Sequence, residues 1–430
     1  MISPEKQKQI RKLGQRVPVL SDRAIARIAN VSRDAVAKYR GAVPSEALQA
    51  ESEELLSPEM HLKDSRALER MRIDNTRLRA ANRILTRSGV MGVESIVNQF
   101  SEELRTEEYQ RFEFAPKVYP KGKVVNSVFD KDHDEIATLV ISDWHIGETI
   151  RPEESNGVNK FNSIIAANRI YAIVDKFKRI FRGHEQMYKL GKIWLPVLGD
   201  LINGSIHPDF ILTNDLLDIP SAILAARLLI MVVLELKTLG VPIEIDTVVG
   251  NHPRLVPQMP AKRQAELSLD WLIYKYVEEK FIDDPQVTVR VHDGQFGIIK
   301  QYGHRFVIEH GYGAKSGEAL PDRLRKMFDS PLYREATGME GSSVDCVIIG
   351  DKHRSESGQG YFVNGGLPGQ GEYGVMLRLD PITACQWMFG ISKSHVRTFF
   401  YELDVTGNTN EGASNPMSAY ATEYMSQHGR

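Results

Sequence analysis

From about residue 120 onward the chain alternates between short apolar runs and longer stretches in which apolar residues recur at helical spacing. Five of the runs end alike. Ala137–Ser142 (ATLVIS) leads into Asp143-Trp144-His145, and Lys192–Leu198 (KIWLPVL) into Gly199-Asp200. Ile243–Val249 (IEIDTVV) leads into Gly250-Asn251-His252, Phe306–Glu309 (FVIE) into His310-Gly311, and Val344–Ile349 (VDCVII) into Gly350-Asp351-Lys352-His353. Apolar runs of this length between turn residues read as buried strands, and their alternation with helices predicts an α/β body. In such bodies ligands gather beyond the carboxyl ends of the strands, on backbone stiff enough to hold a coordination shell. Tyr401–Val405 (YELDV) reads as an outer strand and the polar stretch after Gly407 as a mobile tail. Residues 312–343 read as an insertion over the cleft, with Arg323, Arg325 and Lys326 available to phosphates, or equally as a solvated helix. The glycine-rich stretch 364–376 reads as a loop that closely approaches a bound molecule, or equally as a plain surface turn.

The first hundred residues follow a different pattern. In residues 19–40, Ser21 and Asp22 can cap a helix carrying Ile25, Ala26, Ile28 and Ala29, and Asn30 breaks it. Ser32 can cap a second helix with Ala35, Val36 and Tyr39 on one side. Ala26 at the crossing, Asn30 in the turn, Val31 behind it and the inward Val36 and Tyr39 resemble the helix-turn-helix family. That resemblance implies a second helix offering Ser32, Arg33, Lys38 and Arg40 to DNA. A helical hairpin used for protein contact has the same pattern. Residues 41–60 read as an acidic linker. Residues 61–87 read as a basic helix with a stripe of Leu68, Met71, Asn75, Leu78, Asn82 and Leu85, suited to a homodimer seam or to packing on the body. Residues 93–118 read as a second helix. The expected division is 1–58, helix-turn-helix module and linker; 59–118, helical connector; and 119–430, catalytic domain.

Charge sharpens this division. The 430 residues carry a net charge of -2, but residues 1–87 sum to +7 and the remainder to -9. A basic front on an acidic body suits two parts that meet different partners, and the front suits DNA. Two cysteines, Cys346 and Cys385, exclude a disulfide scaffold and point to a reducing, cytoplasmic compartment. Met1–Arg11 is too polar for a secretory leader, and the most apolar stretch, Ala222–Leu239, is interrupted by Arg227, Glu235 and Lys237, so no membrane partner is expected.

The series Asp-x-His, Gly-Asp, Gly-Asn-His, His and Gly-x-x-His, each after a predicted strand, resembles the calcineurin-like metallophosphoesterase superfamily over roughly residues 137–406. Ser142-Asp143-x-His145, and the lack of Asp-Arg-Gly after Gly199-Asp200, are closer to its nuclease and small-phosphodiesterase branches. The basic front and Asn203-Gly204-Ser205-Ile206-His207 also look like phage-borne members, which would place the protein in a host cytoplasm. The resemblance implies an α/β, four-layer αββα sandwich holding two divalent ions, Mn foremost, with Mg, Fe or Zn as alternatives. It implies Asp143, His145, Asp200 and His353 as ligands of one ion and Asp200, Asn251, His310 and Asp351 as ligands of the other, with Asp200 bridging. A hydroxide between the ions would attack phosphorus, and His252 would serve the phosphate or the leaving oxygen. Arg254, His207 and Asn203 are the candidate substrate contacts.

The sequence departs from the family pattern twice. Asp351 stands where a histidine is usual, adding a negative charge and favouring harder ions such as Mn or Mg. Pro253 stands where an acidic residue is frequent, so the partner that orients His252 has to come from elsewhere. Three functions fit the sequence: a metal-dependent DNA phosphodiesterase directed by the basic front; a phosphodiesterase or phosphatase for nucleotides or other small phosphoesters; and a non-catalytic DNA-binding or regulatory protein with a degraded metal site.

Overall fold

The computed structural model describes residues 116–118, 134–312, 344–378 and 380–430. The chain divides into two units, Met1–Gly92 and Val93–Arg430. The helix-turn-helix and basic-helix readings, with Ser32, Arg33, Lys38, Arg40 and the 61–87 stripe, lie outside the described residues, as does nearly all of the 312–343 insertion.

Two sheets form the body. The first has six strands in the order β11-β10-β1-β2-β3-β4: β1 Asp134–Leu139, β2 Lys189–Val197, β3 Ile243–Thr247, β4 Val287–Val291, β10 Cys385–Ser392 and β11 Phe400–Asp404. β1 to β4 run parallel, while β10 is antiparallel to both β1 and β11. The second has five strands in the order β5-β6-β7-β9-β8: β5 Phe296–Gln301, β6 His304–Glu309, β7 Cys346–Ile349, β8 Glu356–Gly358 and β9 Tyr361–Val363. β6, β7 and β9 are parallel. The parallel strands β1–β3 and β6–β7 are those expected from the apolar runs, displaced by up to three residues at their ends.

Alternation across each strand sorts side chains between two cores. Ile136, Val140, Trp194 and Val248 of the first sheet meet Phe306, Ile308, Ile348 and Phe362 of the second in an inter-sheet core. The opposite face of the first sheet is covered by four helices: α1 Ser163–His184, α3 Asp218–Lys237, α4 Leu269–Lys280 and α6 Pro416–His428. Two short helices, α2 Phe210–Thr213 and α5 Glu372–Met376, lie in loops. Each large apolar side chain buried in these layers contributes about 1.5–3 kcal/mol.

Helix α3 is long and apolar enough to cross a membrane, but most of it is buried inside the body. The charges that interrupt it have partners there. Glu235 accepts from Lys178 in a pair that is almost wholly buried, and Arg227 lies over the ring of Tyr420. Glu235 also accepts from the backbone N–H of Lys117 at 3.1 Å, which ties residues 116–118 to α1 and α3.

The stretch after Gly407 is not a loose tail. Asn415 caps α6 through a capping box with Ser418, Pro416 occupies the first turn, and Met417, Tyr420, Ala421 and Tyr424 are buried. Its i, i+3, i+4, i+7 apolar spacing is short, and the polar residues around it obscure the pattern.

Arg169 joins these layers to the cleft. Fully buried, its guanidinium donates to the carbonyls of Leu367 (2.5 Å), Pro368 (3.0 Å) and Asn408 (3.0 Å), with no carboxylate among its hydrogen-bond partners in the described residues. Burial lowers it to about 10, which leaves it charged at neutral pH. Arg169→Leu would leave several buried carbonyls unpaired, so urea unfolding followed by tryptophan fluorescence should show a loss of about 2–5 kcal/mol; a loss below about 0.5 kcal/mol, the scale of a neutral surface change, would show that the knot is dispensable.

Candidate metal centre

The strand ends converge on one cleft. Asp143 follows β1, Asp200 follows β2 and Asn251-His252 follow β3, neighbours in the first sheet; His310 follows β6 and Asp351-Lys352-His353 follow β7, neighbours in the second. Asp143, His145, Asp200, Asn251 and His310 are buried, and Asp351 and His353 partly so.

The backbone at these positions is unusual. Asp143, His145, Asp200, Asp351 and His353 all have φ between 48° and 63°. Non-glycine residues seldom occupy this left-handed region, Asp and His are among those enriched there, and such strain gathers at functional sites. It persists because hydrogen bonds interlock the loops. The N–H of Asp143 donates to the carbonyl of Gly199 (2.9 Å), that of His145 to the carbonyl of Asp200 (3.1 Å), and that of Leu367 to the carbonyl of Asp143 (2.9 Å). A Cβ on Gly250 would lie 2.0 Å from the Asp200 carboxylate, and one on Gly350 would lie 2.6 Å from that of Asp143. The glycines of both motifs are therefore set by close approach to a carboxylate.

Two groups of side chains can each hold a cation: Asp143, His145 and His353, and Asp143, Asp200 and His310, with ligand atoms within 4.8 Å of one another in each group. Asp143 belongs to both groups. In the first, Nε2 of His145 lies 2.9 Å from Nε2 of His353, and Nε2 of His353 lies 3.5 Å from Oδ1 of Asp143. In the second, Nε2 of His310 lies 3.0 Å from Oδ2 of Asp200, 2.9 Å from Oδ1 of Asn251 and 3.7 Å from Oδ1 of Asp351. The eight residues Asp143, His145, Asp200, Asn251, His252, His310, Asp351 and His353 thus form one constellation. The expected bridging carboxylate Asp200 is in the second group, where its Oδ1 also accepts from the N–H of His252 at 2.8 Å.

The protein's own charges are poorly matched here. Burial, with the nearby charges of Asp200 and Asp351, pushes the Asp143 carboxyl up to about 8 against the opposing pull of His310. Burial would also raise Asp200, but the charges of His310 and His252 hold it well below the usual carboxylate range. Burial and the neighbouring imidazoles hold His145 well below its ordinary value and lower His353 to about 4. His310 is the exception: burial lowers it, and the carboxylates of Asp200, Asp143 and Asp351 raise it well above. Neutral imidazoles, clustered carboxylates and an amide oxygen are donors that suit divalent first-row ions, and a cation pair relieves the crowding that keeps Asp143 protonated. The Nζ of Lys352 lies 2.5 Å from Oδ2 of Asp351, so the adjacent residue offsets the negative charge that Asp351 adds.

The partner that Pro253 does not provide is a backbone carbonyl. Nδ1 of His252 lies 2.9 Å from the carbonyl oxygen of Asn203. Asn203 is buried, its Oδ1 is 3.0 Å from Nδ1 of His145, and its amide donates to Asn214 at 2.8 Å. It supports the imidazoles from behind. The Arg254 guanidinium turns onto its own loop, donating to the carbonyls of Asn251 (2.5 Å) and Pro257 (3.1 Å). His207 is exposed and meets Phe210, which stacks on His252. The described part of the glycine-rich loop packs beneath the first ligand group, where a Cβ on Gly366 would touch the His353 ring at 3.1 Å.

Three supports have no signal in the sequence. Asp270, fully buried in the first turn of α4, accepts from the N–H groups of Asp200 (2.9 Å), Gly250 (2.9 Å) and Leu201 (3.2 Å), fastening the β2 and β3 loops together. Asn364 and Gln386 brace the end of β1: the amide of Asn364 reaches Oγ of Ser142, and Gln386 accepts from the N–H of Ser142, each at 2.9 Å.

No protein-family model matches the chain, and no curated protein matches it. Among solved structures, it is similar to zinc-complexed Vps29 of Entamoeba histolytica at 10% identity, covering 62% of this chain and 98% of that one, with a TM-score of 0.24. A dimetal phosphatase from Danio rerio has 12% identity over 63% and 98% of the two chains, with a TM-score of 0.28. The calcineurin-like phosphoesterase YfkN from Bacillus subtilis has 10% identity over 69% and 97%, with a TM-score of 0.30. At such scores these likenesses carry no part of the reading of the cleft, which rests on its own geometry.

Two outcomes follow for metal binding. A ligand carboxylate must lose its proton, and Asp143 holds one up to about pH 8. Apparent affinity for Mn should therefore rise with pH up to at least about 8, since His310, whose proton the neighbouring carboxylates hold, must also release it to ligate, with proton release detectable by calorimetry in buffers of different ionisation enthalpy. Asp270→Ala should weaken binding about 10–100-fold although Asp270 is not in either ligand group, as is usual when support behind ligands is lost; unchanged affinity would show that the loops hold without it.

Proposed function

We propose that the protein is a dinuclear metal-dependent phosphoesterase whose most favoured substrate is DNA. The observation that carries this reading is the pair of overlapping ligand groups sharing Asp143, with His252 beside them. Asp143, His145 and His353 would hold one ion; Asp143, Asp200 and His310 would hold the other, with Asn251 and Asp351 alongside. When bound, such a pair supplies Lewis acidity toward phosphate oxygens and an acidified water at neutral pH. Asp351 makes the second position a hard one, which favours Mn.

The role of His252 follows from its hydrogen bond. With Nδ1–H donating to the carbonyl of Asn203, Nε2 is the free nitrogen, and no described residue bonds it. In the protonated ring, Nε2–H is the proton offered to the leaving oxygen or to a phosphate oxygen. The intact donor set argues against a degraded centre.

The DNA assignment is supported by charge. A body of net -9 repels polyanions, and the +7 of residues 1–87 supplies the attraction. The helix-turn-helix reading of Ser32, Arg33, Lys38 and Arg40 gives it a form, and a dimer through residues 61–87 would pair two such modules.

The full-length protein with Mn should cleave bis(p-nitrophenyl) phosphate and at least one of plasmid, linear or single-stranded DNA. Asp200→Asn and His252→Ala should each lower kcat by about 100-fold or more. Cleavage of the small ester alone would remove DNA from the reading and leave a small-phosphoester hydrolase. Inactivity toward every phosphoester with Mn, Mg, Fe and Zn would overturn the enzyme. Deleting residues 1–58 should weaken DNA affinity and flatten its dependence on salt.

A further inference from the structure

We propose that Phe210 is a positioning residue that fixes the plane of the His252 imidazole. The inference rests on the catalytic role given to His252 above. A single hydrogen bond, Nδ1 to the carbonyl of Asn203, anchors one atom of that ring and leaves rotation about the bond open. What lies against the faces and edges of the ring then decides its plane. His145 meets it almost at a right angle, with centroids 4.6 Å apart and planes at 88°. Phe210 lies nearly parallel to it, with centroids 5.7 Å apart and planes at 20°, an offset stack. The perpendicular neighbour belongs to the candidate ligand set, so among the described residues Phe210 is the ring outside that set that lies against His252.

The mounting of Phe210 fits that task. It opens α2, on a loop closed at its neck by side chains. The amide of Asn203 donates to Oδ1 of Asn214 (2.8 Å), and the amide of Asn214 donates to the carbonyl of Gly204 (2.9 Å). Oγ of Ser205 donates to Asp218 (2.6 Å), and the Asp215 carboxylate accepts from the N–H and Oγ of Ser163 (2.8 and 2.7 Å). Asn203 is common to both anchors: its carbonyl holds Nδ1 of His252, and its side chain closes the loop that carries Phe210. The outer side of the stack is the exposed His207, edge-on to Phe210 at 5.0 Å. Three rings thus run from solvent to the cleft, and the middle one carries no polar atom that could do chemistry.

Two measurements test the proposal separately. In full-length protein with 13C-labelled histidine, the His252 ring signal, assigned with His252→Gln, should move on Phe210→Leu and return toward its wild-type position in Phe210→Tyr. A His252 signal that Phe210→Leu leaves in place would overturn the stack as the source of orientation, whether or not the protein is an enzyme. In the second measurement, hydrolysis of bis(p-nitrophenyl) phosphate with Mn, Phe210→Leu should lower kcat about 10–100-fold, the scale of a misplaced catalytic group, with KM and Mn affinity within about twofold of wild type. Phe210→Tyr should restore kcat to within about threefold, and Phe210→Leu should cost nothing further in a His252→Ala background. Loss in KM or Mn affinity instead of kcat, or an equal further loss without His252, would refute positioning. Inactive wild-type protein would refute the phosphoesterase reading and leave the first measurement to decide on Phe210.

Discussion

The cleft depends on one carboxylate. Asp143 belongs to both candidate ligand groups, and it joins the sheets: it stands at the end of β1 in the first and accepts the N–H of Asp351, beyond β7 in the second, at 3.1 and 3.2 Å. Burial makes its charge costly, as its raised pKa records. Around it, left-handed backbone, glycines without room for a Cβ, and the imidazoles of His145 and His353 kept neutral are arrangements that a stable fold has little reason to adopt for themselves. Each is a cost that a bound cation would offset.

The support behind this carboxylate explains why so much of the body is polar inside. Asp270, Asn203, Asn364, Gln386 and Arg169 are all buried, and all spend their hydrogen bonds on loops at the strand ends rather than on the layers that surround them. A β-sandwich needs none of them to close its apolar cores. They tie loop to loop, so that five left-handed residues of the candidate site and His252 are held without flexible side chains carrying the strain.

What the sequence shows and what it hides follow the same division. Apolar runs β1, β2, β3, β6 and β7 could be read because parallel strands covered on both faces are continuously apolar, and because each ends in a short polar motif whose order along the chain matches its order in space. β4, β5, β8 and β9 are shorter or carry exposed and half-buried residues, and gave no such run. Chemistry was legible where it is local in sequence. Asp270 lies 70 residues from the Asp200 N–H it holds, and Gln386 lies 244 residues from Ser142. An Asp in the first turn of a helix, or a Gln in a strand, looks like any other, and only the fold reveals what it serves. Arg254 is a different case: a position set by the motif suggested a phosphate contact, and in the fold its guanidinium donates to two carbonyls of its own loop.

Asp351 and Pro253, the two positions where the sequence departs from the pattern it resembles, meet the same kind of answer. Asp351 brings a charge that a histidine would not, and the next residue, Lys352, places an ammonium against it. Pro253 has no side chain to orient His252, and the Asn203 carbonyl takes the ring nitrogen instead. In both cases a group nearby in space supplies the pairing. A backbone carbonyl cannot change charge state as a carboxylate can, so it fixes which nitrogen of His252 faces the cleft without adding negative charge to a site already crowded with carboxylates. That economy of charge suits a body whose net charge is already negative.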